Sequence, residues 1–228
     1  MATIAISNLQ NKSFCDLPPV VADALEQEAV TTTYPTGAVL FAEGQVPRGV
    51  FVVRRGRVKL SICGSDGRTL ILRMVEAGDP LGVAAVVSSR PYEATAETQE
   101  PSEISFLRQS DLLRLMRLHG ELALWVTQHI SADYATTCRE IRDLILSDSA
   151  TEKLARLLVG WLDQNTTSKH PSQMKLALTH EEIGQMIGTS RETVSRLFAG
   201  FKKQRLIQQT GSTLVVPNRL ALESLITA

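Results

Sequence analysis

Apolar positions follow two different rhythms along this chain. From about residue 30 to 107 they come in short β-branched and aromatic runs, VFVVRRGRVKLSI and TLILRMV among them, punctuated by Gly37, Gly44, Gly49, Gly56, Gly64, Gly67 and Gly78. Regularly spaced short strands with glycine turns predict a β-sandwich or roll. The best-defined hairpin joins Arg57–Ile62 to Thr69–Val75 through Gly64-Ser65-Asp66-Gly67, where Asp-Gly supplies the positive φ that a tight turn requires.

After Ser110, a predicted N-cap, the rhythm turns helical. DLLRLMRLH is followed by a break at Gly120 and then by ELALWVTQHISADYATTCREIRDLIL, which contains no Gly or Pro. As one helix of roughly 26 residues it would be about 40 Å long. Val126, Ile130, Thr137, Ile141 and Leu144 recur at combinations of threes and fours, a stripe suited to packing on a twin helix or on the chain's own β-roll. Asp133 falls on that stripe and interrupts it. Leu146 to Ala150 reads as a hinge, with Asp148 or Ser149 capping the next helix, TEKLARLLVGWLDQ, and the polar stretch Asn165–Gln173 reads as a surface loop.

Length and composition add bounds. With 228 residues and 43% hydrophobic content the chain can fill two cores. No apolar run approaches the ~20 residues needed to span a bilayer, and the N-terminal stretch lacks a charged region followed by an apolar one, so a cytoplasmic protein with no membrane partner is expected. Cys15, Cys63 and Cys138 are odd in number and far apart, which suits a reducing compartment and excludes paired-cysteine zinc. The net charge is zero, yet residues 147–228 hold ten Lys/Arg against seven Asp/Glu. That imbalance points the C-terminal third toward an anionic partner.

The segment THEEIGQMIGTSRETVSRLFAGFKKQRLI carries the most chemistry. Thr179 and Glu182 have the spacing of a capping box, and Ile183, Met186 and Ile187 give the helix behind them an apolar face. Gly184 is small enough for a second helix to cross closely, Gly188 can take the left-handed conformation of a tight turn, and Ser190 can cap the second helix. Helix, turn, helix is the expected motif. On a wheel of ~100° per residue, Arg191, Glu192, Ser195 and Arg196 share one polar arc, opposite Val194, Leu197, Phe198 and Phe201. Arginine can donate a bidentate pair to guanine, glutamate can accept from cytosine N4, and serine can meet base or phosphate, so this arc has major-groove chemistry. Lys202, Lys203 and Arg205 would serve as phosphate contacts, joined by Thr179, Ser190 and Thr193. Beyond them, residues 206–216 predict a hairpin wing turning at Thr210-Gly211-Ser212, and RLALESLIT a closing helix.

At this point the chain resembles the CRP/FNR superfamily of bacterial transcription regulators over nearly its whole length. FAEGQVPRGVFVVRRGRVKL is similar to the family's β-roll signature and EEIGQMIGTSRETVSRL to its helix-turn-helix. The resemblance implies an α+β architecture. Residues 1–109 would form a sensor, a double-stranded β-helix or jelly roll like those that bind cyclic nucleotides, with an N-terminal helical segment. Residues 110–147 would supply dimerisation helices and hinge, and residues 148–228 a winged helix-turn-helix. It also implies a homodimer, double-stranded DNA and RNA polymerase as partners, and an inverted repeat with TTGA-like or TGTGA-like arms, since Glu192, Ser195 and Arg196 match the Glu-x-x-Ser-Arg pattern of the FNR and FixK branches.

The sensor departs from the family's cAMP-binding members. The loop LGVAAVVSSRPYEATAE places Val83 where those members hold the ribose with a glutamate, and Glu93 where an arginine pairs with the phosphate. Valine accepts no hydrogen bond and a carboxylate repels phosphate, so cAMP is not the expected ligand unless Arg90 substitutes. By the same resemblance Gly82, Val83, Arg90, Glu93, Ala94, Thr137 and Cys138 mark the candidate effector pocket, for an unidentified small-molecule or redox signal. An iron–sulfur cluster of the FNR kind needs four cysteines and finds only Cys15 near the N-terminus. Haem and metal ligation gain no support, because His119, His129, His170 and His180 all lie outside residues 30–107. The sequence contains no G-x-S-x-G, H-E-x-x-H or Walker loop, so no enzyme is expected. The rival reading is an effector-binding β-roll whose helix-turn-helix docks a protein in place of DNA.

Overall fold

The computed structural model describes residues 17–146, 149–164, 173–176 and 178–226. The chain separates into two compact units, 1–137 and 138–228.

In the first unit, α1 (Pro19–Glu28) leads into eight strands: β1 (Val30–Tyr34), β2 (Val39–Phe41), β3 (Gly49–Arg55), β4 (Val58–Cys63), β5 (Thr69–Val75), β6 (Pro80–Leu81), β7 (Thr95–Thr98) and β8 (Ser102–Arg108). A short helix, α2 (Val83–Ser88), interrupts them between β6 and β7. The strands form two antiparallel sheets, ordered β1-β8-β3-β6 and β2-β7-β4-β5. The predicted hairpin is β4–β5, with Cys63 opposite Thr69.

Strand alternation explains why this unit has two cores. On β3, Phe51 and Val53 face the space between the sheets, with Phe41, Val58, Val75, Ala96 and Ile104. Val50 and Val52 point the other way, onto Val21 and Leu25 of α1 and onto the helices after β8. Those helices are α3 (Gln109–Leu118) and α4 (Gly120–Leu146).

One expectation for this region needs correction. Helix α3 starts at Gln109, one residue before the predicted cap Ser110, and Arg108 stands in the cap position without a side-chain hydrogen bond. The start is set by tertiary contact: the Gln109 amide donates to Arg48 O at 2.9 Å, and its side-chain amide donates to Val86 O at 2.9 Å. Of the two alternatives for the apolar stripe of α4, packing on the chain's own β-roll is the one its first residues meet. Val126 is buried and Ile130 partly buried against the unit's own core, so that end of the stripe serves the β-roll and not a twin helix.

In the second unit, α5 (Ala150–Gln164) precedes β9 (Gln173–Lys175), α6 (His180–Ile187), α7 (Arg191–Lys203), β10 (Gln208–Thr210), β11 (Thr213–Val215) and α8 (Arg219–Glu223). Ser149 caps α5 by accepting from the Glu152 amide at 3.1 Å; Asp148 lies outside the described residues. So does most of the predicted loop from 165 on, but Gln173 belongs to a strand. Met174 pairs with Leu214 and is buried, which adds β9 to the hairpin wing as a third strand, in the order β10-β11-β9. Leu154, Leu158 and Leu162 of α5, Ile183 and Ile187 of α6, and Val194, Phe198 and Phe201 of α7 build one core under that sheet.

Candidate nucleic-acid interface

The two helices of the motif are fixed at both of their N-termini. Thr179 accepts from the Glu182 amide at 3.2 Å while the Glu182 carboxylate accepts from the Thr179 amide at 2.7 Å, closing the capping box. Ser190 caps α7 by accepting from the Thr193 amide at 3.3 Å. Between them Gly188 turns the chain at φ +67°. A Cβ on Gly184 would stand 2.7 Å from Thr189 O, so only glycine lets the turn pass this close to α6.

This scaffold buries Val194, Phe198 and Phe201 and leaves Arg191, Glu192 and Arg196 exposed on α7. Lys202, Lys203 and Arg205 are also exposed, at its C-terminal end. The Glu192 carboxyl is held below its usual range by its own backbone amide and the Ser190 hydroxyl. It is therefore ionised at neutral pH and can only accept hydrogen bonds.

The remaining predicted contacts are partly engaged within the protein. Ser195 is half-buried, and its Oγ lies 2.9 Å from His180 Nδ1. The His180 ring rests against Phe198, with centroids 4.7 Å apart. Burial, then the positive charges of Lys202 and Arg191, hold this imidazole below its ordinary value. Thr179 directs both amide and hydroxyl to Glu182, and the Ser190 and Thr193 hydroxyls lie 3.3 Å apart. Sequence reasoning does not single out His180, because it is 15 positions from Ser195 and only the crossing of α6 and α7 brings them together.

In the β-roll, the predicted effector residues have unlike surroundings. Val83 is buried with Val50, Val52 and Leu107 on the helix side of the sheet, and Ala94 is buried. Arg90 and Glu93 are exposed, Thr137 is exposed and Cys138 half-buried on α4. Beside Gly82 the space is taken by Tyr92, whose ring would lie 2.6 Å from a Cβ there. That ring stacks on Phe41 at 4.0 Å, and its hydroxyl donates to Gly49 O at 2.6 Å. Burial pushes the Tyr92 phenol up, so it stays a donor. The family pattern passes over Tyr92, although a bulky ring three residues before β7 is a visible signal.

Among the described residues no group of three or more His, Cys, Asp or Glu is arranged to hold a metal ion, and no helix is long and apolar enough to cross a membrane.

Comparison with known proteins agrees with this layout. A cyclic nucleotide-binding domain model matches residues 31–119, and a Crp-like helix-turn-helix domain model matches residues 152–225. The chain is 29% identical over 184 residues to the cAMP-activated global transcriptional regulator CRP of Haemophilus influenzae, covering 80% of this chain and 82% of that protein. For the protein of the same description in Pasteurella multocida the identity is 27%, with 80% and 88% covered. Among solved structures, FixK2 from Bradyrhizobium japonicum aligns with a TM-score of 0.77 at 22% identity, over 88% of this chain and 98% of that one. A CooA mutant from Carboxydothermus hydrogenoformans aligns with a TM-score of 0.76 at 23% identity, over 92% and 91%. A roll of the cyclic-nucleotide-binding kind followed by a Crp-like helix-turn-helix makes this chain a DNA-binding transcription regulator of the CRP/FNR superfamily, a family of regulators and not of enzymes.

Proposed function

We propose that the protein works in the cytoplasm as a homodimer that places α7 of each protomer in successive major grooves of an inverted repeat with TTGA-like or TGTGA-like arms. Arg191, Glu192, Ser195 and Arg196 read base edges, and Thr179, Ser190, Thr193, Lys202 and Lys203 hold phosphates. The two arms are centred about one helical turn apart, as two-fold symmetry requires. The observation that carries this reading is the segregation on α7: Arg191, Glu192 and Arg196 exposed, Val194, Phe198 and Phe201 buried, with both helix starts capped. Once on DNA, the dimer engages RNA polymerase.

The β-roll tunes this activity through α4, in response to a small molecule or redox change other than cAMP. The Haemophilus and Pasteurella relatives are described as cAMP-activated. Here, buried Val83 offers no hydrogen bond to a ribose, exposed Glu93 repels a cyclic phosphate, and the Tyr92 ring fills the space beside Gly82.

Selection of the purified protein on a random duplex library at about physiological salt, followed by sequencing, tests the DNA reading. Enrichment of a palindrome with the stated arms is the expected result. Enrichment of nothing above a scrambled control, with and without oxidant, would sink it. Calorimetric titration with cAMP tests the sensor reading, with no heat of binding expected at millimolar nucleotide.

A further inference from the structure

What Ser195 can offer to DNA depends on the direction of one hydrogen bond within the protein. Its Oγ meets His180 Nδ1 at 2.9 Å, and the ring that carries this nitrogen is braced against Phe198. A serine hydroxyl has one proton to give and two lone pairs to offer. If the proton goes to His180, the groove sees only lone pairs. If the nitrogen donates, the hydroxyl proton is released to the groove.

We infer that His180 is a specificity-determining residue: its Nδ1 accepts the Ser195 hydroxyl proton, so that Ser195 presents an acceptor to DNA and selects an amino group, adenine N6 or cytosine N4. This rests on the reading of α7 as the base-reading helix. Burial and the cations Lys202 and Arg191 keep the imidazole neutral, so it holds only one proton. In neutral imidazole one nitrogen donates and the other accepts; here the accepting part is assigned to Nδ1, the nitrogen 2.9 Å from the Ser195 hydroxyl, and the opposite tautomer is the outcome the test below excludes. Adenine and cytosine carry their amino groups in the major groove, whereas guanine and thymine offer acceptors there that a lone-pair-only Ser195 repels. The strand opposite a TTGA arm reads TCAA, which supplies those amino groups.

The test compares library selections by the full-length parent, His180→Leu and His180→Gln, each also in a Ser195→Ala background, with thermal unfolding run beside them. Leucine keeps the apolar contact with Phe198 and removes the acceptor. At the single base position governed by Ser195, discrimination against guanine and thymine should fall about fivefold in His180→Leu, the size of one hydrogen bond, with other positions unchanged. His180→Gln, whose amide oxygen can accept, should keep most of it, which also guards against misfolding of the leucine variant. In the Ser195→Ala background neither substitution should move that position. Equal weakening on all sequences would reduce His180 to a scaffold or phosphate contact and overturn the inference. So would a change in preference that survives Ser195→Ala. A parent that binds and selects a motif while His180→Leu selects the same one defeats the inference alone; a parent that selects nothing defeats the DNA reading as well.

Discussion

Asp133 on α4 accepts a hydrogen bond from Arg73 Nη1 on β5 at 3.1 Å, tying the long helix to the strand that closes one edge of the roll. In the sequence Asp133 is an acidic interruption of an apolar stripe. In the fold it lies on the side of α4 that meets the β-roll, the side on which Val126 and Ile130 pack into the unit's core. Replacing Arg73 and Asp133 by alanine, singly and together, should give a coupling of about 0.5–1 kcal/mol by a denaturant double-mutant cycle. Both side chains are partly exposed, so water screens the pair.

The same carboxylate faces His129, and that side chain makes stability depend on pH. His129 is buried, its ring stacked on Trp125 with centroids 5.1 Å apart, and its Nε2 lies 3.4 Å from Asp133 Oδ2 without a well-aligned hydrogen bond. Burial lowers its pKa, Asp133 opposes that, Arg73 adds to it and Asp79 opposes it. The unfolded chain therefore takes up a proton near pH 6.5, before the folded chain does. Stability from the neutral ring is present above that pH and is lost as pH falls toward the folded value. Asp79, raised by burial, has the opposite trend in more acidic solution. The unfolding midpoint should decline from pH 7.5 to 5.5, and His129→Gln should flatten that slope; an unchanged slope would assign the decline elsewhere.

How much of this is legible in the sequence depends on the range of the interaction. The capping box of Thr179 and Glu182, the crossing at Gly184 and the alternation of β3 are local, and their signals lie within a few residues. Ser110 fails as a cap because Arg48 and Val86, from other parts of the chain, satisfy the start of α3. Strand β9 is hidden because three residues carry no period of their own and pair only once β11 is in place. The His180–Ser195 and Arg73–Asp133 contacts are products of packing, and no spacing rule announces them.

Gly184→Ala should destabilise the second unit by about 1–3 kcal/mol, since the added carbon meets backbone at Thr189 and Ser190 and not a side chain that could swing away. Chemical unfolding of the full chain measures it. DNA affinity should fall in parallel, because the turn that aims α7 must shift.

Arg196→Ala and Lys203→Ala should separate base reading from phosphate holding. The first should cost about 1–3 kcal/mol on the selected site and relax preference at one guanine. The second should weaken selected and scrambled duplexes alike and lower the salt slope by about 1. Fluorescence anisotropy titrations at several salt concentrations read both. Equal losses on both duplexes for Arg196→Ala would make it a phosphate contact.

For the proposed homodimer, the burial of Val126 and Ile130 moves the expected seam to another face of α4. With Val126 and Ile130 committed to the roll, the positions left on α4 at alternating threes and fours are Leu124, Thr127, Ser131, Tyr134, Cys138 and Ile141. Leu124, Tyr134 and Ile141 are 59%, 72% and 50% exposed in the single chain. Large apolar side chains spaced ten and then seven apart keep one face under a 3.5-residue repeat, which is what a parallel pair of helices covers. A Val126→Ala substitution should then lower stability by about 1–2 kcal/mol and leave a dimer mass in light scattering, because its side chain packs inside one protomer. Ile141→Glu should do the reverse, leaving the roll's stability unchanged while moving the protein to monomer mass at micromolar concentration and weakening binding to the palindrome far more than to one arm. Should Ile141→Glu remain a dimer while Val126→Ala does not, the seam runs along the stripe of Val126, Ile130 and Thr137.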